Sequence, residues 1–128
     1  MFLFDVDGTL TPSRKKIDKE FSKFFSNFCK NNDVYLVTGS DRDKTVEQLG
    51  KTLYNKVMRV YNCSGNSVWE KNKNVHTSEW NCPCVLSSYL ELELNASKFK
   101  TKTGKHIEER PGCINFSILG RGEDNMKY

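Results

Sequence analysis

The N-terminal part of the chain alternates apolar runs with one amphipathic stretch. Met1 to Phe4 is continuously apolar, the pattern of a strand covered on both faces, and predicts a first strand over residues 2–6. Ile17, Phe21, Phe24, Phe25 and Phe28 recur at i, i+4, i+7, i+8 and i+11, which predicts an amphipathic helix with its phenylalanines in the core. Asp18 is placed to cap that helix and Asn31-Asn32-Asp33 to end it. Val34 to Val37 reads as a second apolar strand, and a helix from about Arg42 to Leu49 follows. A third strand is expected within Lys56 to Cys63, centred on Val57 to Tyr61. Strand, helix, strand, helix, strand is the order of an α/β fold with a parallel sheet. Ser67 to Trp69 and Asn74 to Thr77, joined through Lys71-Asn72-Lys73, read as a hairpin.

The pattern changes near Ser78. Val85-Leu86, Tyr89-Leu90, Leu92 and Leu94 predict a helix running to about Ser97. Lys105 to Arg110 and Cys113 to Leu119 then flank Pro111-Gly112, the turn of a second hairpin. A helix followed by an antiparallel hairpin does not continue a parallel sheet. Two domains are therefore expected, residues 1–78 with the α/β pattern and residues 79–128 with an α+β pattern.

The candidate chemistry sits at the end of the first strand. Asp5 and Asp7 are spaced i, i+2, which turns both carboxylates to one side of an extended backbone, and Gly8 lets the chain turn away. Two carboxylates this close repel unless a cation lies between them, and Mg2+, which prefers oxygen and takes few protein ligands, suits that place. One carboxylate held by a metal can attack phosphorus and become an aspartyl-phosphate; the other can move a proton on and off an oxygen. The plainer alternative is a strand ending in a polar turn with two solvated aspartates. Ser40 leaves the second strand just before a helix N-terminus, where a hydroxyl and free amides can hold a phosphoryl oxygen. The alternative there is that Ser40 or Asp41 only caps the helix. In open parallel sheets ligands bind at the carboxyl ends of strands, where Asp5, Asp7 and Ser40 all lie.

Composition narrows the classes. A chain of 128 residues with 37% hydrophobic and 12% aromatic residues can bury a core and is not expected to be disordered. Its formal charge of +4 fits a handler of anionic phosphates and is too small to argue for nucleic acid. No apolar run approaches membrane length and no signal peptide precedes Asp5, so a cytoplasmic protein is expected. Five cysteines, an odd count, argue for free thiols, and Cys82-Pro83-Cys84 is too tightly spaced for the usual zinc knuckle.

The string Asp5-Val6-Asp7-Gly8-Thr9-Leu10-Thr11 resembles the first motif of the haloacid dehalogenase superfamily. Thr11 to Ile17, then Gly39-Ser40-Asp41 with Glu47-Gln48-Leu49-Gly50, then Ile118-Leu119-Gly120-Arg121 resemble the eukaryotic-type phosphomannomutases in the same order. The resemblance runs from Phe4 to about Arg121. It implies a haloacid-dehalogenase-like Rossmannoid core with a parallel sheet, followed by an α+β cap domain, both incomplete here. It implies an isomerase that interconverts mannose 6-phosphate and mannose 1-phosphate through a hexose 1,6-bisphosphate, feeding GDP-mannose biosynthesis. Asp5 would be the nucleophile, Asp7 the general acid/base and both would be metal ligands for Mg2+, with the hexose 1,6-bisphosphate as activator. By resemblance, Arg14, Arg110 and Arg121 would grip the phosphate that is not reacting. Asn115 and Ser117, alternating along the second cap strand, would add hydrogen bonds to the sugar.

A sugar phosphate is the expected partner, with a homodimer through the cap as a second partner and neither nucleic acid nor a membrane. The resemblance also departs in places. Where the family has a further arginine past Arg121 this chain has Lys127, and the later lysine and acidic loop of the family have no counterpart in these residues. The 128 residues alone are therefore expected to be inactive. A sugar phosphatase of the same superfamily, and a non-catalytic remnant or fragment that binds sugar phosphate or a partner protein, are the alternatives.

Overall fold

In the computed structural model, which describes residues 1–122, the N-terminal apolar run forms strand β1, Phe2–Asp5. Alternation along it sends Phe2 and Phe4 to one face, against helix α1, Lys19–Asn31. The rings meet edge to face, Phe2 with Phe28 at 5.0 Å between centroids and Phe4 with Phe25 at 5.3 Å. Asp18 caps α1, its carboxylate accepting from the backbone N–H groups of Glu20 at 3.0 Å and Phe21 at 2.9 Å. Strand β2, Val34–Val37, and helix α2, Arg42–Leu49, follow, then a short helix α3, Lys51–Tyr54. Strand β3 is Arg59–Asn62, and β4, Ser67–Glu70, and β5, Lys73–Thr77, complete one sheet in the order β1-β2-β3-β4-β5. β1, β2 and β3 run parallel; β4 and β5 are antiparallel additions. The core lies between this sheet and the helices, on Phe25, Val34, Leu36, Leu49, Tyr54 and Val60.

Three expectations are corrected. First, the opening apolar run is not buried. β1 is the edge strand, and Met1 and Leu3 are 90% and 62% exposed because the face they occupy carries no helix among the described residues. Second, Phe21 and Phe24 lie outside the core, Phe24 at 66% exposed. One amphipathic helix buries only the arc facing the sheet, here Phe25 with Phe28 packed beside it. Third, β3 starts at Arg59 rather than Val57: α3 ends only at Tyr54, and Val57 is buried in the turn that follows it instead of in the sheet.

Among the described residues, those from Glu79 form a separate compact unit. Helix α4, Cys84–Ala96, has no buried residue. Strands β6, Ile107–Arg110, and β7, Cys113–Phe116, pair antiparallel around Pro111-Gly112, with Gly112 at φ +70°. β7 stops at Phe116, short of the expected Leu119, because the chain turns at Ser117–Gly120. Gly120 takes φ +85°, and a Cβ there would collide with the Thr103 carbonyl oxygen. Among the described residues, no helix is long and apolar enough to cross a membrane. The five cysteines are free thiols.

Leu36 sits fully buried in the middle of β2. Truncating it in Leu36→Ala removes packing on the helix side of the sheet and is expected to cost about 2–5 kcal/mol, measured by denaturant unfolding.

Candidate active site

β1 delivers Asp5 at its last position and Asp7 two residues on, and the two carboxylates meet different surroundings. Asp5 is exposed, and no hydrogen bond reaches its carboxylate among the described residues. Asp7 is half-buried and heavily bonded. Its Oδ1 accepts from the Arg14 backbone N–H at 2.6 Å and from Gln48 Nε2 at 2.8 Å, and its Oδ2 lies 3.5 Å from the Ser40 hydroxyl. The turn that follows Asp7 closes through Gly8, whose N–H donates to the Thr11 carbonyl at 2.7 Å. Arg14 itself stands at φ +60°, a left-handed conformation that costs a non-glycine residue about 1 kcal/mol or more. Its backbone N–H, rather than its guanidinium, is what the structure brings to Asp7.

Ser40 and Asp41 divide the two roles considered for them. Asp41 is the cap of α2, accepting from the Lys44 N–H at 2.8 Å, and the Ser40 hydroxyl is left to face Asp7. The Ser40 backbone is tied to the end of β3: its carbonyl accepts from the Cys63 N–H at 3.0 Å and from Asn62 Nδ2 at 3.2 Å. Cys63 and Ser64 open a 3₁₀ turn at φ +49° and +56°, two consecutive left-handed residues packed against the Ser40 loop.

Behind this surface lies a buried polar layer that sequence reasoning missed. Gln48 is 2% exposed; besides Asp7 it donates to Thr11 Oγ1 at 3.3 Å, and its Oε1 has no partner among the described residues. Asn62 is fully buried, donating to Thr45 Oγ1 at 2.8 Å and accepting from the Tyr54 hydroxyl at 3.1 Å. One signal was available: Thr45 and Gln48 share the helix face of Leu49, so polar residues stand on a stripe that should be apolar.

Asp5 and Asp7 suit Mg2+ as a donor set, since that ion commonly takes one or two carboxylates with the rest water and phosphate. Asp5 and Asp7 Oδ2 are the oxygens open to it, because Oδ1 of Asp7 already takes two N–H donors. Among the described residues no group of three or more His, Cys, Asp or Glu is placed to hold a metal ion.

In the second unit, Arg110 ends β6 as expected, but Arg121 lies beyond β7, after the Ser117–Gly120 turn. Both guanidiniums reach the carboxylate of Glu108, each at 3.1 Å from Oε2. Asn115 stands directly opposite Glu108 in the hairpin, with its Nδ2 buried and without an acceptor among the described residues. The Ser117 hydroxyl is engaged in its own turn, accepting from the Gly120 N–H at 3.1 Å. Lys127 lies outside the described residues.

Burial pushes the Tyr54 phenol up to about 12 from its ordinary 10, against the lowering pull of the Arg42 guanidinium above its ring. The fold thus favours the neutral phenol. Its contribution is fully present below pH 10 and is lost as the unfolded chain ionises first between pH 10 and about 12. Unfolding free energy measured across that range should fall in the wild type, and Tyr54→Phe should remove this part of the slope.

No family model matches the chain. It is 33% identical to a phosphomannomutase of Galdieria sulphuraria, over 93% of this chain and 50% of that protein. It is 35% identical to one of Spinacia oleracea, with the same shares. With phosphomannomutase 1 of Mus musculus it shares 34% over 93% of this chain and 48% of the relative. The chain spans about half the length of the curated relatives it matches. Among solved structures, a haloacid dehalogenase-like hydrolase from Bacteroides thetaiotaomicron superposes with a TM-score of 0.55 at 18% identity, over 73% of this chain and 37% of that one. The IMP-bound, N-terminally truncated IMP-nucleotidase of Plasmodium falciparum gives 0.51 at 16%, over 92% and 40%. The chain therefore carries a haloacid-dehalogenase-like Rossmannoid core and resembles the phosphomannomutases in sequence along nearly all of its own length.

Proposed function

We propose that this chain carries the nucleophile and part of the substrate grip of a phosphomannomutase-like sugar phosphotransferase. The observation that supports it most is the asymmetry of two neighbouring carboxylates. Asp5 is exposed and, among the described residues, takes no hydrogen bond, which leaves its oxygens accessible for attack; Asp7 is held in place by Arg14 N–H, Gln48 and Ser40. Two carboxylates in unlike surroundings take unlike roles. An Asp5 oxygen attacks phosphorus of a hexose bisphosphate, the bond to the sugar oxygen breaks, and that oxygen takes the proton carried by Asp7. The free 1-hydroxyl of mannose 6-phosphate then attacks the aspartyl-phosphate as Asp7 removes its proton, which frees Asp5 and forms the 1,6-bisphosphate; transfer of the 6-phosphoryl group of that bisphosphate back to Asp5 releases mannose 1-phosphate. Ser40 supplies a hydroxyl beside the reacting group. Bound Mg2+ would neutralise phosphoryl charge between Asp5 and Asp7. Arg110 and Arg121, with Asn115, would bind the distal phosphate and the sugar, Arg14 and Ser117 contributing less directly, since the Arg14 contact to Asp7 is through backbone and the Ser117 hydroxyl is used in its turn. A cytoplasmic protein that associates through its cap, with a hexose 1,6-bisphosphate as activator, is part of the same reading.

One observation favours a second reading, a non-catalytic binder of sugar phosphate: among the described residues no group of three or more His, Cys, Asp or Glu is placed to hold a metal ion. A phosphatase would use the same groups with water in place of the sugar hydroxyl.

Two measurements test this. Calorimetric titration should show weak Mg2+ binding that drops about tenfold or more in Asp5→Asn, since one of two charged ligands is lost; equal affinity in both would remove the metal position. The 128 residues given mannose 1-phosphate, Mg2+ and a hexose bisphosphate should show no detectable turnover. Substantial turnover abolished by Asp5→Asn would show the chemistry to be complete in this chain, and phosphate release without isomerisation would favour the phosphatase.

A further inference from the structure

The two arginines read above as phosphate ligands are already held by an anion. Glu108 Oε2 lies 3.1 Å from Arg110 Nη2 and 3.1 Å from Arg121 Nη1. The same strand pairing sets Asn115 opposite Glu108 and buries an amide Nδ2 that has no acceptor among the described residues. All four side chains are drawn from one hairpin and the turn that follows it. We infer that Glu108 is a built-in occupant of the anion site formed by Arg110, Arg121 and Asn115, which a phosphate group must displace. This rests on the phosphate role given to the two arginines.

The chemistry favours displacement by phosphate and not by smaller anions. One oxygen of the Glu108 carboxylate contacts both guanidiniums, and the Arg121 guanidinium presents a fork that matches a pair of oxygens. A phosphate dianion brings more oxygens and a second charge, enough to meet both guanidiniums, and leaves an acceptor for Asn115 Nδ2. A monoanionic carboxylate offers nothing that Glu108 does not already supply from a tethered position, at high effective concentration. Occupancy by Glu108 lowers the apparent affinity of any incoming anion by the fraction of time the site is closed. Glu108 is in this sense a specificity-determining residue. The pair geometry also explains how two guanidiniums stay close in the absence of ligand: the carboxylate between them offsets their mutual repulsion.

The test uses the whole chain with inorganic phosphate and acetate as probes, followed by amide chemical-shift titration. Glu108→Gln keeps the shape and one oxygen acceptor and removes the charge. Phosphate affinity should rise about fivefold or more, and acetate binding should become measurable, as expected when a closed fraction is released. In that background Arg110→Ala and Arg121→Ala should each lower phosphate affinity about tenfold or more, which places the binding at these residues. Phosphate affinity unchanged or reduced by Glu108→Gln, while still dependent on both arginines, would overturn the role of Glu108 alone, since the carboxylate would then support the arginines rather than compete. Absence of phosphate binding in every variant, with the hairpin resonances intact, would overturn the reading of the arginines themselves.

Discussion

The carboxylate of Asp7 ties the first unit's functional loops together. Its Oδ1 accepts from the Arg14 N–H and from Gln48 Nε2, and its Oδ2 faces the Ser40 hydroxyl. Those donors come from the loop after β1, from α2 and from the loop after β2. Hydrogen bonds to an ionised acceptor are about twice as strong as neutral ones, so this side chain reinforces a meeting of segments that the Ile17 N–H to Gln48 carbonyl bond at 2.8 Å also draws together. It also explains the left-handed Arg14: a strained φ persists when the surroundings over-determine it, and here the N–H of that residue is committed to Asp7. These donors all go to Asp7, and among the described residues none reaches the Asp5 carboxylate. The difference between the two carboxylates is therefore a product of the packing and not of their spacing alone.

Much of this unit was legible because single periodicities decide it. The i, i+4, i+7 pattern of α1, its Asp18 cap and the apolar Val34–Val37 run give elements whose bounds match closely. What failed was set by tertiary context. Val57-Met58 looks like strand, yet the chain is still completing the turn after α3 there. The partners of the polar layer of Gln48, Thr45 and Asn62 were unreadable for another reason. Nothing local says that a buried amide will find Asp7 or Ser40 across the sheet; only the fold brings those partners within 3.2 Å. Asp5 and Asp7 could be singled out by type and spacing, but their supports could not.

The sheet's two faces show what packing decides. Phe2 and Phe4 meet α1, whereas Leu3, Tyr35, Val37 and Tyr61 line an open hollow of about 570 Å³ on the other side, with Met1 at its rim. Parallel strands are ordinarily covered on both faces, and the continuous apolar run of β1 is written for such a setting. Here one face of that run is met by α1 and the other by no helix among the described residues of the first unit, so the same residues that read as core from the sequence are half exposed.

The second unit inverts that balance. It has no buried hydrophobic residue among those described, and α4 exposes Val85, Tyr89 and Leu92. Its order comes from the four-residue strand pairing of β6 with β7 and from hydrogen bonds around the following turn: Thr103 N–H to the Leu119 carbonyl at 2.8 Å, and Ser117 N–H to the His106 carbonyl at 2.9 Å. Those bonds carry Arg121 back toward the hairpin after β7 has ended, which spacing along a strand could not have foretold. With little apolar burial to hold it, such a unit depends on local geometry and paired charge. Arg110, Arg121 and Glu108 are all partly shielded from solvent, at 16%, 32% and 25% side-chain exposure. Shielding strengthens attraction within the trio and equally strengthens the repulsion that would appear if the carboxylate were absent. The carboxylate proposed to compete with phosphate for the arginines is thus also the group that lets them stand together.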